Sequence, residues 1–136
     1  MSCLLGFDYG TAKIGIAVGQ TVTSSATPLT TLRAVNQKPD WEGISRLIEE
    51  WKPQALVVGL PLDLDDSDAQ VADKARRFAR QLEGRYRLPV HMTDERLTSM
   101  EARRHFGKQP KNRDELDAVA AKLILETWLR SLGGAA

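Results

Sequence analysis

A single cysteine, Cys3, stands in the 136 residues, so neither an internal disulfide nor a cysteine-based zinc cluster can form. The simplest compartment for such a chain is the reducing cytoplasm, and Cys3 itself reads as a strand residue. Histidine is almost as scarce. His91 and His105 are too few and too far apart for a zinc site, so His91 reads as a strand side chain and His105 as a surface or phosphate contact. Long apolar runs are missing as well. The longest extend for a few residues, against the roughly 20 that cross a bilayer, and the first residues hold no apolar secretory core. Neither export nor membrane insertion is expected. Apolar residues make up 42% and charged residues 27%, values ordinary for a globular domain and foreign to disordered or collagenous chains. A length of 136 residues favours one domain, residues 1–136, large enough to bury a core without staples.

An excess of either charge is nearly absent overall, since 19 Lys or Arg against 18 Asp or Glu leave a formal net charge of +1, but the two signs are segregated. Residues 40–73 carry nine Asp or Glu against Arg46 and Lys52, while residues 74–113 carry twelve Lys or Arg against four acids. A basic half of this kind attracts phosphate backbones, although solvated helix faces give similar counts. The nucleic-acid contacts suggested by this excess are Arg76, Arg77, Arg80, Arg103, Arg104, Lys108 and Lys111.

Hydrophobic periodicity predicts three short antiparallel strands followed by alternating helices and strands. Leu4 to Asp8, Ile14 to Val18 and Ala26 to Ala34 form the opening strands, with Tyr9-Gly10-Thr11-Ala12 as the first turn. Asp40 starts a helix carrying Trp41, Ile44, Leu47, Ile48 and Trp51 at spacings of three and four, and Pro53 stops it. Ala55 to Gly59 reads as a strand, Pro61 with Asp63 to Asp68 as an acidic loop, and Val71, Ala75, Phe78 and Leu82 as a helix ending near Gly84. Pro89 to Thr93 is the last strand expected. A short helix over Thr98 to Phe106, a basic loop over Gly107 to Lys111, and a final helix opened by an Asn112/Glu115 capping box complete the pattern. The final helix is expected to bury Leu116, Val119, Ala120, Leu123, Ile124, Thr127 and Trp128, with Ala121 at the margin, and to end at Gly133-Gly134. The result is an α/β domain with one mixed sheet and helices packed on it.

Three carboxylates interrupt these patterns. Asp8 closes an apolar strand, where an isolated charge would cost several kcal/mol unless it pairs, binds a cation or reaches solvent; a turn aspartate capping Gly10 or Thr11 is the plainer alternative. Asp94 and Glu95 end the last strand and point to opposite faces by period-two alternation, so only one can share a site with Asp8. Asp117 falls in phase between Ile124 and Trp128, inside the apolar face of its helix, though the helix dipole alone would favour an acid near an N-terminus. Three carboxylates aimed at one region suit hard divalent cations such as magnesium or manganese. Without cations, such a cluster would repel itself, so removing one charge should not harm the metal-free protein.

With those residues in place, the chain resembles the YqgF family of the ribonuclease H-like superfamily, bacterial proteins described as pre-16S rRNA nucleases and as Holliday junction resolvases. The resemblance rests on Leu5-Gly6-Phe7-Asp8-Tyr9-Gly10-Thr11 with Ile14-Gly15-Ile16-Ala17, on Val57-Val58-Gly59-Leu60-Pro61-Leu62, on Asp94-Glu95-Arg96-Leu97-Thr98, and on Asp117 with Ala120-Ala121 and Ile124-Leu125. It implies a ribonuclease H-like fold with a five-stranded mixed sheet, three antiparallel strands then two parallel ones, flanked by helices. It further implies that Asp8, Glu95 and Asp117 are catalytic and hold two Mg2+ or Mn2+ ions, with Asp94 as the substitute for Glu95. Gly10 and Thr11 would bring backbone amides near phosphate, and Gly59 and Pro61 would shape the cleft; a purely structural role for these four stands equally open. Family members often carry a basic residue directly after the Gly-Thr pair, where this chain has Ala12 and then Lys13, and lysines before the last aspartate, where it has Asn112-Arg113-Asp114-Glu115-Leu116. Lys13, Arg96, Lys108, Lys111 and Arg113 are the basic residues left to touch nucleic acid there.

The function implied is a cytoplasmic, metal-dependent endonuclease that processes the 5′ end of pre-16S rRNA during ribosome biogenesis, acting on structured RNA and ribosomal precursors, with no membrane partner. A resolvase acting on branched DNA uses the same chemistry but asks for a symmetric dimer. The chain itself is expected to be a monomer or a homodimer. A nucleic-acid-binding module without catalysis would need the basic segment but not all three acids. Sugar kinases and actin-like ATPases share an Asp-x-Gly-Thr turn, but they need two related domains, and 136 residues provide one.

Overall fold

A computed structural model describes residues 3–36, 38–60, 66–94 and 113–134. Strands β1 (Cys3–Asp8), β2 (Lys13–Gln20) and β3 (Ser25–Arg33) are followed by helix α1 (Trp41–Trp51), strand β4 (Ala55–Leu60), helix α2 (Asp66–Tyr86), strand β5 (Val90–Asp94) and helix α3 (Arg113–Gly134). The five strands form one sheet in the order β3-β2-β1-β4-β5. β1 pairs antiparallel with β2, and β2 with β3, while β1–β4 and β4–β5 are parallel. This is the mixed sheet the sequence predicted. Pro28 lies in β3, an edge strand, where a missing N–H costs no ladder bond, and the β2–β3 register shifts at Ile16/Ala17.

Alternation along the strands divides the core in two. Leu5, Phe7, Ile14, Ile16, Val18, Leu56 and Val58 face α1 and α2, where they meet Ile44, Phe78 and Leu82. Leu4, Ala55 and Val57 face α3 and meet Ile124, Leu125 and Leu129. Each large side chain buried in this way contributes about 1.5–3 kcal/mol. Cys3 opens β1 half-buried, and burial raises its thiol pKa, which keeps the sulfur protonated at neutral pH.

Helix boundaries depart from expectation at α2. Asp66 to Asp68 belong to the first turn of α2, not to an acidic loop, because the helix dipole favours carboxylates there. The end of α2 is set by Arg87, not Gly84. Arg87 takes φ 55° and donates its N–H to the Glu83 carbonyl at 2.9 Å, while Gly84 stays helical. α1 ends in the same manner, with Lys52 at φ 47° bonding Ile48, and starts at an Asp40 cap that accepts from the Gly43 N–H at 3.0 Å. A Cβ on Gly84 would meet nothing within 4 Å. Gly84→Ala should therefore raise stability by about 0.4–1 kcal/mol through lost unfolded-state entropy and better helix propensity, read as a higher urea midpoint.

α3 buries Val119, Ala120 and Ile124 of the expected stripe, but its main contact with the sheet is shifted to one side of it. Ala118, Ala121, Ile124, Leu125 and Leu129 are buried, Ala121 and Leu125 completely, whereas Leu123, Thr127 and Trp128 are only partly covered. The cause lies in the sheet. β1 and β2 present Gly6, Gly15, Ala17 and Gly19 to α3, so the helix settles close to the backbone and turns its alanines and Leu125 inward. Val119 and Ala120 are buried in a separate cluster, so the helix is apolar on two sides and its periodicity alone could not choose the face. The helix ends at Gly134, within the Gly133-Gly134 pair expected to end it.

Candidate active site

Asp8 is the last residue of β1, opposite Gly15 on β2 and Gly59 on β4. Leu4 and Gly6 face α3, and period two places Asp8 on that face as well, at the carboxyl end of a central strand where open α/β sheets bind ligands. Asp117 arrives from above. A Cβ on Gly15 would lie 2.1 Å from the Asp117 carbonyl oxygen, so the first turns of α3 rest directly on the β2 backbone beside Asp8. The inward phase expected for Asp117 is therefore what the fold adopts, and Asp8 and Asp117 share one edge and one face of the sheet.

Lys13 opens β2 on the same face, and its Nζ lies 3.1 Å from Asp117 Oδ2, with side-chain exposures of 22% and 27%. Asp117 Oδ2 is buried and has no hydrogen bond of good alignment, so the ammonium is its charge partner among the described residues. This corrects the expectation of simple self-repulsion: the metal-free site already contains a cation. A buried carboxylate oxygen paired, among the described residues, with a long, flexible ammonium fits a hard divalent ion, which would take that oxygen as a ligand. Among the described residues no group of three carboxylate, histidine or cysteine side chains is close enough to hold a metal by itself. Glu95 lies outside the described residues, as do Pro61, Arg96, Arg103, Arg104, His105, Lys108 and Lys111, the expected helix over Thr98 to Phe106, the basic loop and Asn112. Asp94 ends β5 opposite Leu60.

The turn after β1 is tight, since a Cβ on Gly10 would come within 2.7 Å of the Lys13 carbonyl oxygen. Thr11 is exposed at its tip, and Gly59 is buried next to Asp8. His91 is a strand side chain stacked on Trp128, with ring centroids 4.6 Å apart. Arg113 opens α3. Arg76 is paired with Asp73 at 3.0 Å, and Arg80 is exposed. Arg77 lies on the opposite side of the sheet from Asp117, near enough to Tyr9 for its charge to oppose the burial that raises the phenol pKa. There it joins Lys38, Lys74 and Arg85, three cations that charge counting did not single out; the spacing of 74, 77, 81 and 85 on one helix face was the available signal.

Sheet order and a carboxylate edge of this kind define a ribonuclease H-like fold of the resolvase type. Among solved structures, Thermus thermophilus RuvC in complex with a Holliday junction superposes with a TM-score of 0.60 at 18% identity, covering 100% of this chain and 98% of that one. The fowlpox virus resolvase in complex with Holliday junction DNA gives 0.58 at 10% identity, covering 96% and 98%. The family model RuvX, Holliday junction resolvase, matches residues 2–131, and the chain belongs to this family, also called YqgF, of hydrolytic nucleases. It is 50% identical over 130 residues to a protein of Azotobacter vinelandii named "Putative pre-16S rRNA nuclease", covering 93% of this chain and 92% of that protein. A protein of the same name from Legionella pneumophila is 49% identical over 130 residues, covering 93% and 94%.

Proposed function

We propose that residues 1–136 form one nuclease domain, a metal-dependent endonuclease that hydrolyses phosphodiester bonds at the 5′ end of pre-16S rRNA in the cytoplasm. The observation that carries the reading is the convergence of Asp8 and Asp117 on one face at the end of β1, with Gly15 allowing their elements to touch. The third ligand is Glu95. Described β5 places His91 on the α3 face, where it stacks on Trp128, and that alternation favours odd-numbered positions, hence Glu95 over Asp94. Two Mg2+ or Mn2+ ions, when bound, would supply a water of lowered pKa and charge stabilisation for the leaving oxygen. Asp8 and Asp117 provide hard oxygen donors. Lys13 holds the Asp117 carboxylate inward through their ion pair before loading, and its ammonium then turns toward phosphate. The Gly10-Thr11 turn and Gly59 leave room for a phosphate at the strand end. Water attacks phosphorus in line and the bond to the 3′ oxygen breaks, giving a 5′ phosphate and a 3′ hydroxyl. Arg96, Arg103, Arg104, Lys108, Lys111 and Arg113 are proposed to hold the substrate backbone, together with basic residues of α2.

The relatives' name supports RNA as substrate. The resolvase description of the family model supports a second reading, cleavage of branched DNA by a symmetric dimer. Purified protein with magnesium or manganese is offered structured RNA, single-stranded RNA, duplex DNA and a four-way junction in parallel. Preferential cleavage of structured RNA supports the first reading and symmetric cleavage of the junction the second. Cleavage of none overturns both and leaves a binding module.

A further inference from the structure

We propose that the groove on the α2 side of the sheet, across β1 from the carboxylates, is a binding site for single-stranded nucleic acid. It is an open cleft of about 930 Å3 between the β1–β2 turn, the loop before α1, and α2. Lys38, Lys74, Arg77 and Arg85 line it around Tyr9 and Trp41, and among the described residues no acidic side chain does. The nearby acids are engaged elsewhere: Asp40 caps α1, Glu42 pairs with Arg46, and Asp73 with Arg76. Four cations therefore line the groove without a compensating carboxylate among the described residues of its walls.

The floor is aromatic. Buried Phe78 supports both Tyr9, at a centroid distance of 5.1 Å, and Trp41, stacked at 5.5 Å and 29°. Arg85 lays its guanidinium 4.1 Å from the Trp41 ring centroid, a cation on the flat face that a base would use. Aromatic faces beside a cationic track are the two elements that bind unpaired nucleotides with little sequence preference. A duplex hides its base faces and would use only the charge. Lys74 and Arg85 are 11 residues apart on one helix, about 16 Å, so the cations suit a chain of phosphates better than one anion.

The position of the groove also fits a polymer. Tyr9 follows Asp8 directly and faces the opposite side of the sheet, so their Cα atoms are about 3.8 Å apart. A strand leaving the carboxylate edge over the Gly10-Thr11 turn enters the groove at Tyr9. This continuity, though not the groove's affinity, rests on the proposed nuclease reading.

Anisotropy of a labelled oligouridylate of about a dozen nucleotides, and of a duplex of equal length, tests the site in EDTA, where cleavage cannot contribute. Lys74→Glu/Arg77→Glu should weaken single-strand binding at least about tenfold and flatten its salt dependence by roughly one to two charges, whereas Arg46→Glu/Arg87→Glu, the same charge change outside the groove, should shift it less than about twofold. Oligouridylate should also quench tryptophan fluorescence, and Trp41→Phe, which keeps a ring on Phe78, should remove most of that quenching. Equal losses in both double variants, no loss in either, no binding by wild type, duplex binding weakened as much as single-strand binding, or quenching that survives Trp41→Phe would each overturn the proposal. Cleavage by Asp8→Asn is read separately. Activity surviving that change would sink the nuclease reading and leave the groove standing, while a lost groove with Asp8-dependent cleavage would do the reverse.

Discussion

Asp117→Asn should lower cleavage by roughly 10²-fold or more and at the same time destabilise the metal-free protein by about 1–2 kcal/mol. The activity loss follows from removing a charged oxygen whose contribution to transition-state charge stabilisation is worth several kcal/mol. The stability loss follows from the ion pair with Lys13, whose ammonium lies 3.1 Å from Asp117 Oδ2 and would lose that contact in a site only about a quarter exposed. That cost falls between the near-zero value of a surface pair and the larger value for breaking a fully buried one. Urea unfolding in EDTA reads the stability loss, and cleavage at a temperature where both proteins are folded reads the activity loss. The rise in melting temperature on adding manganese should shrink in the variant, because fewer ligands bind the native state. A variant as active as wild type, with an unchanged manganese response, would show that Asp117 only pairs with Lys13.

Gly15→Ala should be the most damaging single methyl in the protein. The added Cβ would sit 2.1 Å from the Asp117 carbonyl oxygen and 2.9 Å from the Ala118 nitrogen, both backbone atoms that no rotamer change can move aside. Either β2 sinks or the start of α3 lifts. Overpacking of this type costs about 1–3 kcal/mol, and a helix start lifted from the sheet carries Asp117 away from Asp8. A displacement of about 1 Å at a reacting centre can cost on the order of 10²-fold in rate. The expected result is a folded but less stable enzyme whose kcat falls with little change in substrate affinity. Gly84→Ala on α2 is the matched control, the same substitution in open space with the opposite sign for stability. A Gly15→Ala protein with wild-type stability and kcat would mean that α3 does not bear on β2 in solution.

Alternation and helical phase were enough to locate the strands along the chain and to aim Asp117 inward, because both are local rules of backbone geometry. They also placed the start of α1 at Asp40, since a capping side chain acts within three residues. The same rules failed where the deciding partner was distant in sequence. The face that α3 buries was chosen by glycines about a hundred residues earlier, which let Leu125 and Ala121 approach the sheet and left Thr127 and Trp128 half covered. The end of α2 passed over Gly84 to Arg87, because nothing local forbids a glycine from staying helical when the helix lies on β4 and β5.

What the chain determined by itself is therefore the elements seen among the described residues, the mixed sheet, and the inward phase of Asp117. Tertiary structure alone decided that Lys13 neutralises Asp117, and that Lys38 from one loop joins Lys74, Arg77 and Arg85 from one helix around Trp41. Charge in a sequence can be counted, but its sign at a point in space depends on which side chains the packing brings within a few ångströms, where Coulomb energies become large enough to matter.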